Sequence, residues 1–366
     1  MNQDQAQVLF HEGAILVFLD VPLGTEFGID WNSWNVGPKF KGVKMIPPGL
    51  HFIYYSATNS DHQAAPRSGF FYNFKAKEVL VKRWDRAAED VITETISTEN
   101  QEQFEANKKE MDPFLGVYPY ENYKKWVSMT NHMTDDVIRT LEPLEGKILS
   151  VTEFLSERST SQSRKAAKEK AEEEGSEQTS DDSRLPTMQQ KEGSQIRFSA
   201  IPKKYPENAS PAEITKYNMD SSYALEKMIE LNYRTDLEIL GEIQFSFICF
   251  IVGQVYDAFD QWKKLVHLLC SCEGALKNHT ELYAQFISVL HYQVREIPED
   301  FFVDIVSANN FLTSTMQILF SNMESGDIDE GLRKRGLNFR EHLTKKFKWD
   351  FMEEPDEDAP VVVETE

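Results

Sequence analysis

The stretch SERSTSQSRKAAKEKAEEEGSEQTSDDS at 156–183 holds no aromatic and almost no branched residue, and it constrains the rest of the chain more than any other feature. A segment of this composition cannot bury enough apolar area to offset the entropy of ordering it. Whatever folds must fold on either side of it. Residues 156–193 therefore read as a disordered, charged linker, transiently helical over KAAKEKAEEE. The expected organisation is a first domain over 1–155, the linker, a second domain over 194–349 and an acidic flexible tail over 350–366.

Both flanks hold material for a core. The chain has 366 residues, 40% of them hydrophobic, with 24 Phe, 13 Tyr and 6 Trp. Two domains of about 100–200 residues fit that length.

From 8 to 84 the runs Ala14–Leu19, Gly49–Ser56, Gly69–Phe74 and Glu78–Trp84 are short and rich in aromatic and branched residues. Pro22-Leu23-Gly24, Gly37-Pro38 and Pro47-Pro48-Gly49 interrupt them too often for helices. The pattern predicts an antiparallel sheet folded into a sandwich or barrel. Residues 99–142 switch to helical character, with Thr134 as N-cap of a short helix through Leu141 and Pro143 just beyond it. This helical stretch is expected against the sheet, within the first domain.

Beyond the linker the signals are helical. Ser210-Pro211-Ala212-Glu213 reads as a capping box with proline at the first helical position, and Thr235-Asp236-Leu237-Glu238 as a second box. Ile248, Val252, Val255, Phe259, Trp262, Val266 and Leu269 step by four and three, as one face of a helix does. Leu282, Phe286 and Val289 open another face. Pro298-Glu299-Asp300 starts a helix carrying Phe301, Phe302, Ile305 and Val306, and Leu332, Phe339, Leu343 and Phe347 mark the last. The expected fold class is α+β in two domains. The first is β-rich and sandwich-like with packed helices, and the second is an all-α bundle or superhelix of about six to eight helices.

Charge narrows the partners. A formal net charge of −21 repels a phosphate backbone, so nucleic acid is not the default partner of the whole surface. The cysteines, Cys249, Cys270 and Cys272, are odd in number and lack a framework spacing, which argues against a disulfide-stapled secreted domain. MNQDQAQVLFHEG has no basic region followed by an apolar one, so no signal peptide is expected. The most apolar run, Ile243–Val252, contains Gln244 and Ser246 and is about half of a bilayer span. No membrane association is expected, and a reducing cytoplasmic or nuclear setting fits.

Catalytic constellations are missing from the sequence. It has no G-x-S-x-G elbow, Walker loop, H-E-x-x-H or dinucleotide fingerprint. Gly24-Thr25-Glu26-Phe27-Gly28 lacks the lysine and Ser/Thr of a phosphate loop and reads as a hairpin turn. Cys270-Ser271-Cys272 has only His267 and His279 nearby, so the thiols read as small buried residues at a helix end and not as zinc ligands. His11, His51 and His291 sit in apolar surroundings, as structural histidines do. No catalytic residue, metal site, cofactor or small-molecule substrate is expected, and the chain reads as a protein-binding protein, not an enzyme. The run Arg333–Lys348 (RKRGLNFREHLTKKFK) reads first as a solvated helix face offset by the acidic tail, and second as a docking face for an acidic partner or RNA.

Several blocks together resemble one family: GTEFGIDWNSWNVGPKFKGVKMIPPGLHF at 24–52, PAEITKYNMDSSYALE at 211–226, GEIQFSFICFIVGQVYDAFDQWK at 241–263, EIPEDFFVDIVSANNFLTSTMQ at 296–317, and HLTKKFKWDF with APVVVE near the C-terminus. The chain resembles the Aar-two splicing-factor family, whose members assemble the U-five small nuclear ribonucleoprotein. The resemblance implies a β-rich N-terminal domain and a VHS-like helical C-terminal domain. It implies a non-enzymatic assembly factor that binds the splicing scaffold Prp-eight through its RNase-H-like and Jab/MPN-like domains. Such a factor delays docking of the helicase Brr-two, associates with the particle's RNA only indirectly, and works in cytoplasm and nucleus. It also implies that Pro360, Val361, Val362 and Val363 match a tail that bridges two partner domains by strand pairing. Two other readings compete. A VHS-type trafficking adaptor would carry clathrin- or ubiquitin-binding motifs in the linker, and none is found there. A hydrolase would need a triad that the sequence does not supply.

Overall fold

A computed structural model describes residues 3–58, 65–92, 108–151, 193–297, 311–325, 327–349 and 351. The chain forms two units, one from residues 1–118, 142–197 and 253–255, the other from 119–141, 198–252 and 256–366.

The first unit begins with α1 (Gln3–Glu12) and β1 (Ala14–Leu19). There follow β2 (Glu26–Ile29), β3 (Asn32–Asn35), β4 (Gly42–Ile46), β5 (Gly49–Ser56), β6 (Ser68–Phe74), β7 (Val79–Asp85) and β8 (Asp90–Val91). The short α2 (Lys108–Met111), β9 (Leu115–Val117) and β10 (Ile148–Leu149) complete it. The strands make two five-stranded sheets, ordered β8-β7-β1-β4-β9 and β10-β6-β5-β2-β3. Aromatic side chains join them: Phe18 meets Phe27 at 5.4 Å and Tyr55 at 5.9 Å, and Tyr55 meets Trp84 at 5.5 Å between ring centroids. The sandwich-like layout expected from the sequence is present.

The sheets are not antiparallel throughout, which corrects the first expectation. β1 pairs in parallel with β7 from Ile15↔Val79 to Leu19↔Arg83, and β4 pairs in parallel with β9. The β5–β6 hairpin belongs to the second sheet, so the chain re-enters the first sheet beside β1 and in the same direction. β1 then lies between two neighbours with all six of its residues apolar, four of them buried and two partly buried, as a central strand requires. The turn expected at 24–28 is also split. Gly24 turns at φ +86°, whereas Gly28 lies in β2, where a Cβ would overlap the Tyr54 ring of β5. The β2–β3 turn is Asp30-Trp31, with Asp30 at φ +54°.

The second unit contains α3 (Tyr123–Thr130), α4 (Asp135–Leu141), α5 (Pro211–Met219), α6 (Ser222–Asn232), α7 (Glu238–Ile251) and α8 (Tyr256–Cys270). α9 (Glu273–Asn278), α10 (Thr280–Glu296), α11 (Phe311–Ser325) and α12 (Glu330–Phe347) complete it among the described residues. α7 is its axis and packs against α3, α4, α8 and α10, while α12 packs on α10 and α11. α7 is apolar nearly all round, with even Glu242, Gln244 and Ser246 buried, as a central helix must be.

Helices α3 and α4, expected against the sheet, pack on α7 and cluster with the second unit by contact. Their apolar faces, Trp126, Met129, Val137, Ile138 and Leu141, are buried. Gly241 of α7 makes the close approach possible, because a Cβ there would overlap the His132 carbonyl between α3 and α4.

The caps resolve unequally. Ser210 and Glu213 form the full reciprocal box at the start of α5. Thr134 accepts the Val137 N–H at 3.3 Å ahead of α4. Thr235 does not cap α7, because Glu238 instead accepts the Arg234 N–H at 2.9 Å. The stripe from Ile248 to Leu269 is buried at every position, but it spans two helices. α7 ends at Ile251, and Gln254 at φ +60° turns the chain before α8. The helix expected from Pro298 with Phe301, Phe302, Ile305 and Val306 lies outside the described residues, as does most of the linker.

Candidate interaction site

In each unit one buried carboxylate gathers hydrogen bonds from several neighbours. In the first unit Asp30 is 2% exposed and lies at the centre of a network. Its Oδ2 accepts the Tyr118 hydroxyl at 2.5 Å and lies 2.7 Å from His51 Nδ1, and its Oδ1 accepts the Phe52 N–H at 3.0 Å. His51 Nε2 faces the Pro47 carbonyl at 2.8 Å. His51 is thus the hydrogen-bonded structural histidine expected from its apolar setting. In the second unit Glu242 plays the same part. It accepts from the Ser199 N–H at 3.0 Å, the Gln261 amide at 2.9 Å and the Tyr233 hydroxyl at 2.6 Å. These clusters join helices and strands, as buried networks do when every member is paired.

The three thiols are buried and free. Burial pushes Cys249, Cys270 and Cys272 upward, away from the thiolate that nucleophilic attack or metal ligation needs. Cys272 instead donates to the Leu268 carbonyl at 3.0 Å. Of the nearby histidines, His279 faces Asp236 Oδ2 at 3.0 Å, and His267 is pushed downward by burial and by Lys204. Among the described residues no group of three His, Cys, Asp or Glu side chains could hold a metal ion.

The basic run Arg333–Lys348 falls on α12, and its cations have distinct partners. Arg333 donates to the Glu324 carbonyl at 2.9 Å, and Arg340 pairs with the Glu324 carboxylate. Lys346 donates to the carbonyls of Val294 at 2.9 Å and Arg295 at 2.8 Å, closing the C-terminal end of α10. Arg335 reaches the Ala284 carbonyl at the other end of that contact. Arg335 against Ala284 and Lys346 against Val294 place α10 and α12 side by side and parallel. A groove of about 330 Å³ runs between them, lined by Ile287, Ser288, His291, Tyr292, Arg335, Asn338, Phe339 and His342. The sequence could reveal the cations of α12 but not the histidine from α10 that completes this lining.

The four tail residues singled out from the sequence, Pro360, Val361, Val362 and Val363, lie outside the described residues.

A sandwich-like β unit and a helical unit centred on one apolar helix define a two-unit α+β protein. The description "AAR2 N-terminal domain" matches residues 12–143, and "AAR2 C-terminal repeat region" matches residues 198–352. The chain belongs to the AAR2 family. It is 46% identical to the human Protein AAR2 homolog over 371 aligned positions, covering 100% of this chain and 97% of that one. It is 39% identical to the Protein AAR2 homolog of Caenorhabditis elegans, over 94% of this chain and 96% of that one. The Saccharomyces cerevisiae protein named A1 cistron-splicing factor AAR2 is 22% identical, over 78% of this chain and 77% of its own.

Proposed function

We propose that this protein is a splicing factor, acting without catalysis as an assembly factor of the U-five small nuclear ribonucleoprotein. The observation that carries the reading is the family match across both units, together with a relative whose name is that of a splicing factor. In this reading it binds the scaffold Prp-eight through the RNase-H-like and Jab/MPN-like domains, in a precursor particle, and delays docking of Brr-two. Its contact with the particle's RNA is indirect, which agrees with a net charge of −21. It works in both cytoplasm and nucleus.

The tail supplies the bridge. Pro360 disfavours helix, and Val361, Val362 and Val363 favour an extended chain that can add itself to an exposed sheet edge. Ordering that strand costs roughly 1–2 kcal/mol per residue in backbone entropy, so the folded units must share the binding. Once they are bound, tail docking becomes effectively intramolecular. Affinity capture from cell extract tests the function. Recovery of the splicing scaffold is expected, and recovery of vesicle-coat proteins in its place would overturn the reading.

A further inference from the structure

We infer that the groove between α10 and α12 is a docking site for a short, extended segment of a partner protein that carries carboxylates at alternate positions. The groove alone supports this, independent of the splicing reading.

Basic and protonatable groups recur along both walls. On α12 they are Arg335, His342 and Lys345, and on α10 they are His291 and Arg295. The rings of His291 and His342 meet across the groove at 4.5 Å between centroids, and His342 Nε2 is buried with no hydrogen-bond partner among the described residues. Arg295 stands beside both rings, and Lys345 stands beside His342. Burial first, and then the neighbouring cations, push both imidazoles downward. Lys346 also acts on His342, but it is engaged with carbonyls at the end of α10. Arg335 reaches a carbonyl of α10, and neither it nor Arg295 nor Lys345 forms an ion pair among the described residues.

No carboxylate lines the groove. The acids on the surrounding helices are engaged or turned elsewhere. Glu296 pairs with Lys125, Glu281 accepts from the Gln285 amide at 2.7 Å, and Glu324 of α11 pairs with Arg340. Glu341 is exposed on α12 outside the lining, where Tyr292 is the remaining titratable residue.

The size of the groove selects the shape of its occupant. From Arg335 to Lys345, α12 rises by roughly 15 Å. A third helix of that length and about 10 Å across would fill on the order of 1,200 Å³. The groove holds about 330 Å³. An extended chain is thinner, and its alternate side chains point the same way about 6.7 Å apart. Three alternate carboxylates thus cover roughly 13 Å and meet the cations at each end with the histidine pair between them. Ile287 and Phe339 offer apolar wall to the intervening residues. A carboxylate at the middle position gives His342 Nε2 its missing acceptor. Nucleic acid fits less well, because its phosphates continue past the groove over a chain whose net charge is −21.

Fluorescence anisotropy of a labelled octapeptide alternating glutamate and serine, titrated with the full chain at pH 7.5 and pH 6.0, tests this. Saturable binding of one peptide per chain is expected, and none of a peptide with glutamine in place of glutamate. A carboxylate beside the rings favours the imidazolium form, so binding takes up protons and tightens as pH falls. The gain over that interval should be about threefold to thirtyfold, thirtyfold being one full proton taken up. His291→Gln with His342→Gln should remove this pH dependence. Arg335→Glu and Lys345→Glu should each weaken binding about threefold to tenfold. Lys345 is exposed, so Lys345→Glu keeps the melting temperature and reads binding alone. Equal affinity in all variants would overturn the assignment, as would equally tight binding of an oligouridylate of the same charge. If the chain's own acidic end or a second copy filled the groove, the labelled peptide would find no site at either pH, and that result overturns it as well.

Discussion

The side-chain carbonyl of Gln244 accepts the backbone N–H of His132 at 2.8 Å, across 112 residues of sequence. The same amide donates to Asn131 Oδ1 at 2.8 Å. One buried polar residue on α7 thus answers the backbone at the end of α3. Gln244→Leu keeps the volume and leaves the His132 N–H without its acceptor. A buried donor left unpaired costs about 1–3 kcal/mol, and chemical denaturation of the variant should show a loss of that size. An unchanged midpoint would mean that α3 and α4 do not depend on α7 for their place.

Trp262 is fully buried between the rings of Phe247 and Phe259 and donates from Nε1 to Gln293 at 2.8 Å. Trp262→Ala opens a cavity and strands the Gln293 acceptor. The expected loss is roughly 3–5 kcal/mol in equilibrium unfolding. A melting temperature equal to the parent's would show that the ring is not part of the core.

Acid should weaken the helical unit through His132. Burial holds its imidazole below the ordinary value of 6.5, and Nε2 has no hydrogen-bond partner among the described residues. Near that value the unfolded chain binds the proton more readily than the folded one, so this contribution to stability is intact at higher pH and falls as pH drops through the unfolded value. His132→Gln should flatten the decline in melting temperature between about pH 7.5 and 5.5. His267, His291 and His342 are shifted the same way, so the difference between parent and variant is the informative quantity. Parallel pH curves would contradict the assignment.

Much of the fold was legible because local signals and tertiary demands agree. Ala14–Leu19 and Gly49–Ser56 are strands at the limits their composition suggests, and Ser210-Pro211-Ala212-Glu213 caps α5 in full. Where the two diverge, the reasons lie in long-range contacts. The unbroken apolar run AILVFL is what a central strand with two neighbours needs, but the direction of β7 beside it is set by the hairpin carried in the other sheet. The stripe from Ile248 to Leu269 keeps helical phase across Gln254, whose left-handed turn leaves no mark in an i, i+4 pattern. Residues 119–141 look helical anywhere, and the contacts that seat them on α7, among them Gly241 and Gln244, lie more than 100 residues away in sequence. The site was legible in part. The cations of α12 stand out in the sequence, but the His291–His342 pair exists only because α10 and α12 run parallel.

The most direct test of the partner-binding mechanism is a chain ending at Asp358, compared with the full chain by melting temperature and by mixing with the isolated RNase-H-like and Jab/MPN-like domains of the scaffold. The full chain should bring the two domains into one ternary complex on a sizing column. The shortened chain should melt at the same temperature but fail to join them, and Val362→Asp should behave likewise, because an unpaired charge then faces the partner's sheet. Complete ternary assembly by the shortened chain would contradict the bridging strand.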